Sequence, residues 1–142
     1  MTAVWVSKHI KRIVFIGSGP LPLTSLCLTK IRKDLGCSTI SSFNIDKDPE
    51  AVRLSRSVCA GLGQKNIIFK CADITDVAKA DLYGFDVICS AAMVGDSTCE
   101  KIRILSQVTK KVRVGCMVLV RSSSGMKTLL YPVGCKKDRD KR

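Results

Sequence analysis

The stretch R-I-V-F-I-G-S-G-P-L-P-L-T-S, Arg12 to Ser25, decides how this chain is read. A short run rich in β-branched residues ends abruptly at Gly17, and a second glycine, Gly19, follows two positions later. Such a run reads as a buried strand. Glycines at its end let the backbone turn tightly and approach a ligand closely, with the amides of a following helix nearby. Neither common phosphate-binding pattern fits. A dinucleotide fingerprint needs glycine or alanine at position 22, where Pro22 stands, and no G-x-x-x-x-G-K-[ST] loop is present. A glycine pair at this junction also serves simply to turn a strand into a helix.

Outward from this junction, short apolar runs alternate with longer amphipathic ones. Leu23 to Asp34 has helical spacing, with Leu23, Leu26, Cys27, Ile31 and Leu35 as its apolar set and Gly36 as its stop. Thr39 to Ile45 reads as a second strand closing at Asp46. Pro49 to Gly61 is a helix capped by Asp48, with proline in its favoured first position. Asn66 to Lys70, Phe85 to Ala91 and Gly115 to Arg121 are three further strands. Asp76 to Tyr83 forms a short helix, and Ser97 to Lys110 a longer one with Ile102, Leu105 and Val108 turned inward. Regular alternation of this kind predicts an α/β fold: a doubly wound, mostly parallel sheet of about five strands with helices on both faces. Ligands in such folds lie at the carboxyl ends of the strands, near the switch point.

The chain has 142 residues, enough for one hydrophobic core. We expect a core over residues 1–135 and a basic tail over 136–142. No apolar run approaches the roughly 18 residues of a membrane-spanning helix, and Met1 to Val6 is too short for a signal-peptide core. A cytoplasmic protein with no membrane partner is expected. The eight cysteines form no C-x-x-C pair and mostly interrupt apolar runs, so buried, reduced thiols are expected and no metal site. The net charge of +12 suggests nucleic acid. Its basic residues are scattered, however, with few aromatics between them, which argues for solubilisation or loose attraction of anions and against specific nucleic-acid recognition.

Two carboxylates and one small-residue segment are placed to meet a ligand. Asp46 closes the second strand 27 residues after Gly19, where a nucleoside-binding domain puts an acid for ribose hydroxyls. Its alternative is a turn or cap, a role that suits Asp48 better. Asp73, in C-A-D-I-T-D after the third strand, suits the amino group of adenine or else an ordinary turn. Ala91 and Ala92, with Met93 to Gly95, offer small side chains against which a ligand can lie, or a close-packed strand end.

The segment V-F-I-G-S-G-P-L-P-L-T-S, Val14 to Ser25, closely resembles the glycine-loop signature of nicotianamine synthases. Its two prolines and Leu-Thr-Ser make it far more specific than a bare glycine pair. Later segments agree in order. Phe43-Asn44-Ile45-Asp46 resembles the end of the family's second strand, and Phe69 to Asp73 its F-H-x-x-D segment with the histidine replaced. Tyr83 to Gly95 resembles Y-D-V-V-F-L-A-A-L-V-G, with Phe85-Asp86 at the Y-D position. Val120 to Pro132 resembles V-R-S-x-x-G-x-x-x-x-L-Y-P.

The resemblance implies a fold similar to class I methyltransferases and a donor, S-adenosylmethionine, that gives up 3-amino-3-carboxypropyl groups. It implies nicotianamine and methylthioadenosine as products. It assigns nucleoside binding to Gly17, Ser18, Gly19, Asp46, Asp73 and Ala92, and contact with substrate to Arg121 and Tyr131. Arg121 would meet a donor carboxylate or be merely solvated; Tyr131 would border the substrate or pack on the sheet edge. The family also carries a helical domain before the glycine loop, where a catalytic glutamate and a partnering tyrosine are expected. In this chain 16 residues precede Gly17, none of them glutamate, and the chain reads as shortened at both ends. His9 is the one base-like side chain in that stretch, read as a surface residue beside Lys8 and Lys11. The catalytic base is therefore unassigned. Two rivals follow: a non-catalytic chain that binds S-adenosylmethionine or a longer relative, and a basic nucleic-acid methyltransferase, which would need a motif of the N-P-P-Y kind after the fourth strand. In the usual strand order, Cys116 to Val120 is an uncovered apolar edge, so self-association or pairing with another chain is expected.

Overall fold

The computed structural model describes residues 9–91 and 97–121. Their elements run β1 (Arg12–Ile16), α1 (Leu23–Asp34), β2 (Ser41–Asp46), α2 (Pro49–Gly61), β3 (Ile67–Cys71), α3 (Lys79–Leu82), β4 (Val87–Ser90), α4 (Thr98–Lys111) and β5 (Met117–Val120). The strands form one sheet in the order β3-β2-β1-β4-β5, and every pairing is parallel. The chain builds outward from β1 through β2 to β3, then returns to the other side of β1 with β4. The switch point lies between β1 and β4, so the crevice there opens directly above Gly17.

Strand alternation sends the side chains of β1 into two different cores. Ile13 and Phe15 join Leu28 of α1, Ile40, Val87 and Cys89. Val52 and Cys59 of α2 pack on Ile67 and Phe69 of β3, which lie on the same face of the sheet as Ile13 and Phe15. On the opposite face Val14 and Ile16 join Ile45, Leu82, Phe85, Ile88, Ile104 and Val108 beneath α3 and α4. Helices cover both faces, as the alternation predicts.

Three expectations about packing are corrected. In α1 the buried side chains are Ser25, Leu28 and Arg32, while Leu23, Ile31 and Leu35 are exposed. Arg32 is held inside because its guanidinium donates to the Ser38 carbonyl and hydroxyl. In α4 the inward residues are Ile104 and Val108, one helical turn apart, and Ile102 is exposed. Ile102 is two positions from Ile104, which on a helix is about 200° of rotation and therefore the opposite side. Among the seven described cysteines, all free, only Cys59 and Cys89 are buried, while Cys27, Cys71 and Cys99 are exposed. Burial pushes the thiols of Cys59 and Cys89 upward, away from reactivity.

β1 has the expected bounds, β3 is shifted by one residue, and β4 and β5 are shorter than their apolar runs. No helix among the described residues is long and apolar enough to cross a membrane. Among the described residues β5 is an edge strand, with Met117 and Val120 partly open to solvent. Ala92, Tyr131 and the basic tail over 136–142 lie outside the described residues.

Candidate functional site

The glycine loop works because of its backbone. Gly17 has φ of 71° and Gly19 φ of 69°, a region that L side chains rarely adopt. The Gly17 amide donates to the Ile45 carbonyl at 2.8 Å, which carries the β1–β2 ladder one step past β1. The chain then turns across the end of β2, where the Gly19 amide donates to Asp46 Oδ2 at 2.8 Å. The other oxygen of that carboxylate, Oδ1, accepts the Asp48 amide at 3.0 Å. Asp46 thus clamps the glycine loop on one side and the turn into α2 on the other. Asp48 is the helix cap expected of it, accepting the Glu50 amide at 2.9 Å.

Asp73 sits in a small rigid turn. Its Oδ1 accepts the Thr75 amide at 2.9 Å and the Thr75 hydroxyl at 2.8 Å. The Thr75 backbone hydrogen bond, then its hydroxyl, hold the Asp73 carboxyl below its ordinary range, with Lys47 and Arg103 adding charge support. Lys111 of α4 braces the same turn by donating to the Thr75 carbonyl at 2.8 Å. Oδ2 of Asp73 has no hydrogen bond among the described residues.

A cleft of about 330 Å³ opens between these loops at the carboxyl ends of β1, β2 and β3. Gly17, Gly19, Asp46 and Asp73 all line it, over an apolar floor of Ile16, Ile45, Ile74 and Ile104. A second cleft of about 260 Å³ lies on the α1 face of the same loop. Ser18, Thr24 and Ser25 line it together with Cys89, Ala91 and Arg121. Ile16 and Gly17 line both, so the glycine loop is the partition between them. The Ser25 hydroxyl fixes that wall by donating to Asn44 Oδ1 of β2 at 2.9 Å inside the core.

The structure therefore brings Gly17, Gly19, Asp46 and Asp73 to one cleft and Ser18 and Arg121 to its neighbour. His9 precedes β1, at the opposite end of the strand from both clefts. Sequence reasoning missed Lys47, Thr75, Glu100 and Arg103, which line the larger cleft. The Thr75 contact was readable from the D-x-T spacing of a side-chain turn. Glu100 and Arg103 come from α4, and nothing local in the sequence brings that helix beside the Asp73–Thr75 turn. Among the described residues no cluster of histidine, cysteine and carboxylate groups could hold a metal ion.

A family model described as nicotianamine synthase protein matches residues 2–140. The chain belongs to the nicotianamine synthase family. It is 35% identical over 123 residues to a nicotianamine synthase of Solanum lycopersicum, covering 87% of this chain and 38% of that one. It is 37% identical over 125 residues to probable nicotianamine synthase 4 of Arabidopsis thaliana, covering 87% and 37% respectively. The chain thus spans little more than a third of these relatives' length. Among solved structures, a variant of MtNAS in complex with S-adenosylmethionine superposes with a TM-score of 0.69 at 29% identity, covering 90% of this chain and 44% of that one. MtNAS in complex with MTA and tNA superposes at 0.70, also at 29% identity, covering 88% and 42%. The S-adenosylmethionine-dependent methyltransferase SibL, 18% identical, has a TM-score of 0.68 over 89% of this chain and 35% of that one, a likeness of fold. In this chain the loop that resembles the family's glycine signature is the partition between two clefts, and Phe85-Asp86 lies at the far end of the sheet.

Proposed function

We propose that this chain binds S-adenosylmethionine for nicotianamine synthase-type transfer of 3-amino-3-carboxypropyl groups, with adenosine in the larger cleft and the amino acid arm in the smaller one. The observation that carries this is the convergence of Asp46 and Asp73 on a single cleft walled by the Gly17–Gly19 turn. Each Asp46 oxygen has one backbone amide and keeps a lone pair for a ribose hydroxyl. Asp73 offers Oδ2 to the adenine amino group. The arm crosses the partition at Gly17, where no side chain obstructs it, and its carboxylate meets Arg121, with Ser18 beside it.

The chemistry then depends on which carbon of the sulfonium faces the acceptor. An amine that has lost its proton attacks the carbon γ to the carboxylate. The N–C bond forms as the C–S bond breaks, and its electron pair returns to sulfur, releasing neutral methylthioadenosine. Holding the carboxylate on Arg121 and the ribose on Asp46 turns that carbon, and not the methyl, toward the acceptor. Ala92, outside the described residues, would complete the wall after β4, and Tyr131 would border the acceptor.

A second reading, binding without turnover by this chain alone, is favoured by one observation. The described lining of the smaller cleft contains no carboxylate, imidazole or phenol to take the amine's proton. A base would then come from a longer relative or a second copy paired with this chain. Incubation of the purified chain with S-adenosylmethionine, read by mass spectrometry, separates the readings. Nicotianamine with methylthioadenosine establishes transfer. Adenosylhomocysteine establishes methyl transfer instead. Intact donor from a folded sample that binds it establishes binding alone, and a folded sample that does not bind it defeats both readings.

A further inference from the structure

We propose that Arg103 closes the adenosine cleft by laying its guanidinium over the face of the bound purine. The inference rests on the adenosine reading of the larger cleft and adds a residue to it. The residue lies one turn into α4, next to Ile104, which is buried in the floor. It is the one arginine among the described residues lining the cleft, which it shares with Asp73, Ile74 and Thr75. Its guanidinium shares the cleft with Asp73, the residue assigned to the adenine amino group, and its charge helps to hold that carboxyl in the ionised form.

Arg103 is also free to move there. Its contact with Glu100 spans 3.9 Å, and its side chain is 65% exposed. Exposed pairs of that kind contribute little and do not hold a long side chain in place. The rest of the cleft needs such a cover. Apolar Ile45, Ile74 and Ile104 can support one face of a flat purine, while the other face is open to water. A guanidinium is planar, weakly hydrated and attracted to π faces, which makes it suited to that open side. Contact with the ring, and not with any one substituent, is what distinguishes this role from simple charge support of Asp73.

The test uses the full 142-residue chain and two ligands, adenosine and purine riboside, which lacks the exocyclic amine. Arg103→Met keeps a stem of similar length and removes the cation. Titration calorimetry is expected to show both ligands weakened by a similar factor of about tenfold, the range of a desolvated cation–π contact. Thermal melting is expected to match the parent, since the side chain is exposed. Unchanged affinity in Arg103→Met overturns the proposal. A loss confined to adenosine also overturns it, because Arg103 would then act only through Asp73. Failure of the parent chain to bind either nucleoside overturns the adenosine reading itself, and the Arg103 proposal with it.

Discussion

Asp46 carries structure and, on the proposed reading, binding as well. Its two oxygens each accept a backbone amide, from Gly19 and from Asp48, and so join the glycine loop to the turn into α2. Asp46→Asn turns an NH2 group toward one of those amides, so one charged hydrogen bond is lost and two donors face each other. The expected outcome is destabilisation of about 1–3 kcal/mol by thermal or urea unfolding, and at least a tenfold loss of adenosine affinity by calorimetry. Asp73 makes a prediction about pH. On the proposed reading the ionised form accepts from adenine, and the Thr75 hydrogen bonds hold its carboxyl below the ordinary 3.8. Adenosine affinity should stay flat as pH falls to about 4 and change in a step below it, where the part that Asp73→Asn abolishes belongs to the carboxyl and the remainder to protonation of adenine itself. Thr75→Val removes the hydroxyl donor and should move that step upward in pH. Both carboxylates were legible in the sequence because Asp46 closes β2 and Asp73 lies two residues beyond β3, so strand position alone brings them to the carboxyl end of the sheet. Arg121 was legible for the same reason. Lys47 and Thr75 adjoin these acids and were overlooked, whereas Arg103 is far from both in the chain and depends on how α4 is laid.

The strands β1, β4 and β5 are tied together at their amino ends by Asp86. Its Oδ2 accepts the Lys11 and Arg12 amides at 2.8 and 2.9 Å, and its Oδ1 pairs with Arg113. Burial alone would raise this carboxyl, but the two amides and the guanidinium outweigh it and the net shift is downward. A lowered folded value means stability that is present above the unfolded value of 3.8 and is lost as pH falls through the folded one. Asp86→Asn should therefore lower the melting temperature at pH 7, by about 2–3 kcal/mol of stability, and the difference from the parent should close as pH drops below about 4. If the gap persists unchanged at pH 3, the ionised carboxylate is not what joins these strands. Phe85-Asp86 thus has a structural part within the family's Y-D segment: Phe85 packs edge-on against Phe43 at 4.9 Å while Asp86 binds backbone. The motif was visible in the sequence, but its purpose was not, because the Lys11 and Arg12 amides lie more than seventy residues away. The misjudged faces of α1 and α4 have a related cause. Counting apolar residues ranked Leu23 and Ile102 as core, yet Ser25 is buried on a hydrogen bond to Asn44 and Arg32 on the Ser38 loop. Hydropathy ranks neither side chain as a core residue; only its partner does.

The parallel, doubly wound sheet was the feature of the whole molecule most legible in the sequence, and the structure gives its strands the order β3-β2-β1-β4-β5. That same order puts β5 at the margin of the sheet, beside β4 alone among the described residues. Backbone groups on its outer side offer a template for another strand, and Met117 and Val120 add apolar surface there. The net charge of +12 opposes association, and salt screens that repulsion with a Debye length of about 8 Å at physiological ionic strength. Self-association should therefore increase with salt, the reverse of what a contact held by ion pairs would do. Sedimentation velocity across a concentration series, at about 0.02 M and about 0.3 M salt, checks the sign. Met117→Lys puts a charge on the exposed margin without touching either cleft, and should shift the chain toward monomer at both salts while leaving adenosine affinity unchanged. A parent chain that stays monomeric at high concentration and high salt would show that this edge does not pair. The second reading of function would then need its base from a longer relative docking elsewhere. A dimer that Met117→Lys dissolves would instead make β5 the place where a second chain reaches the cleft, because Arg121, which lines it, continues β5 directly.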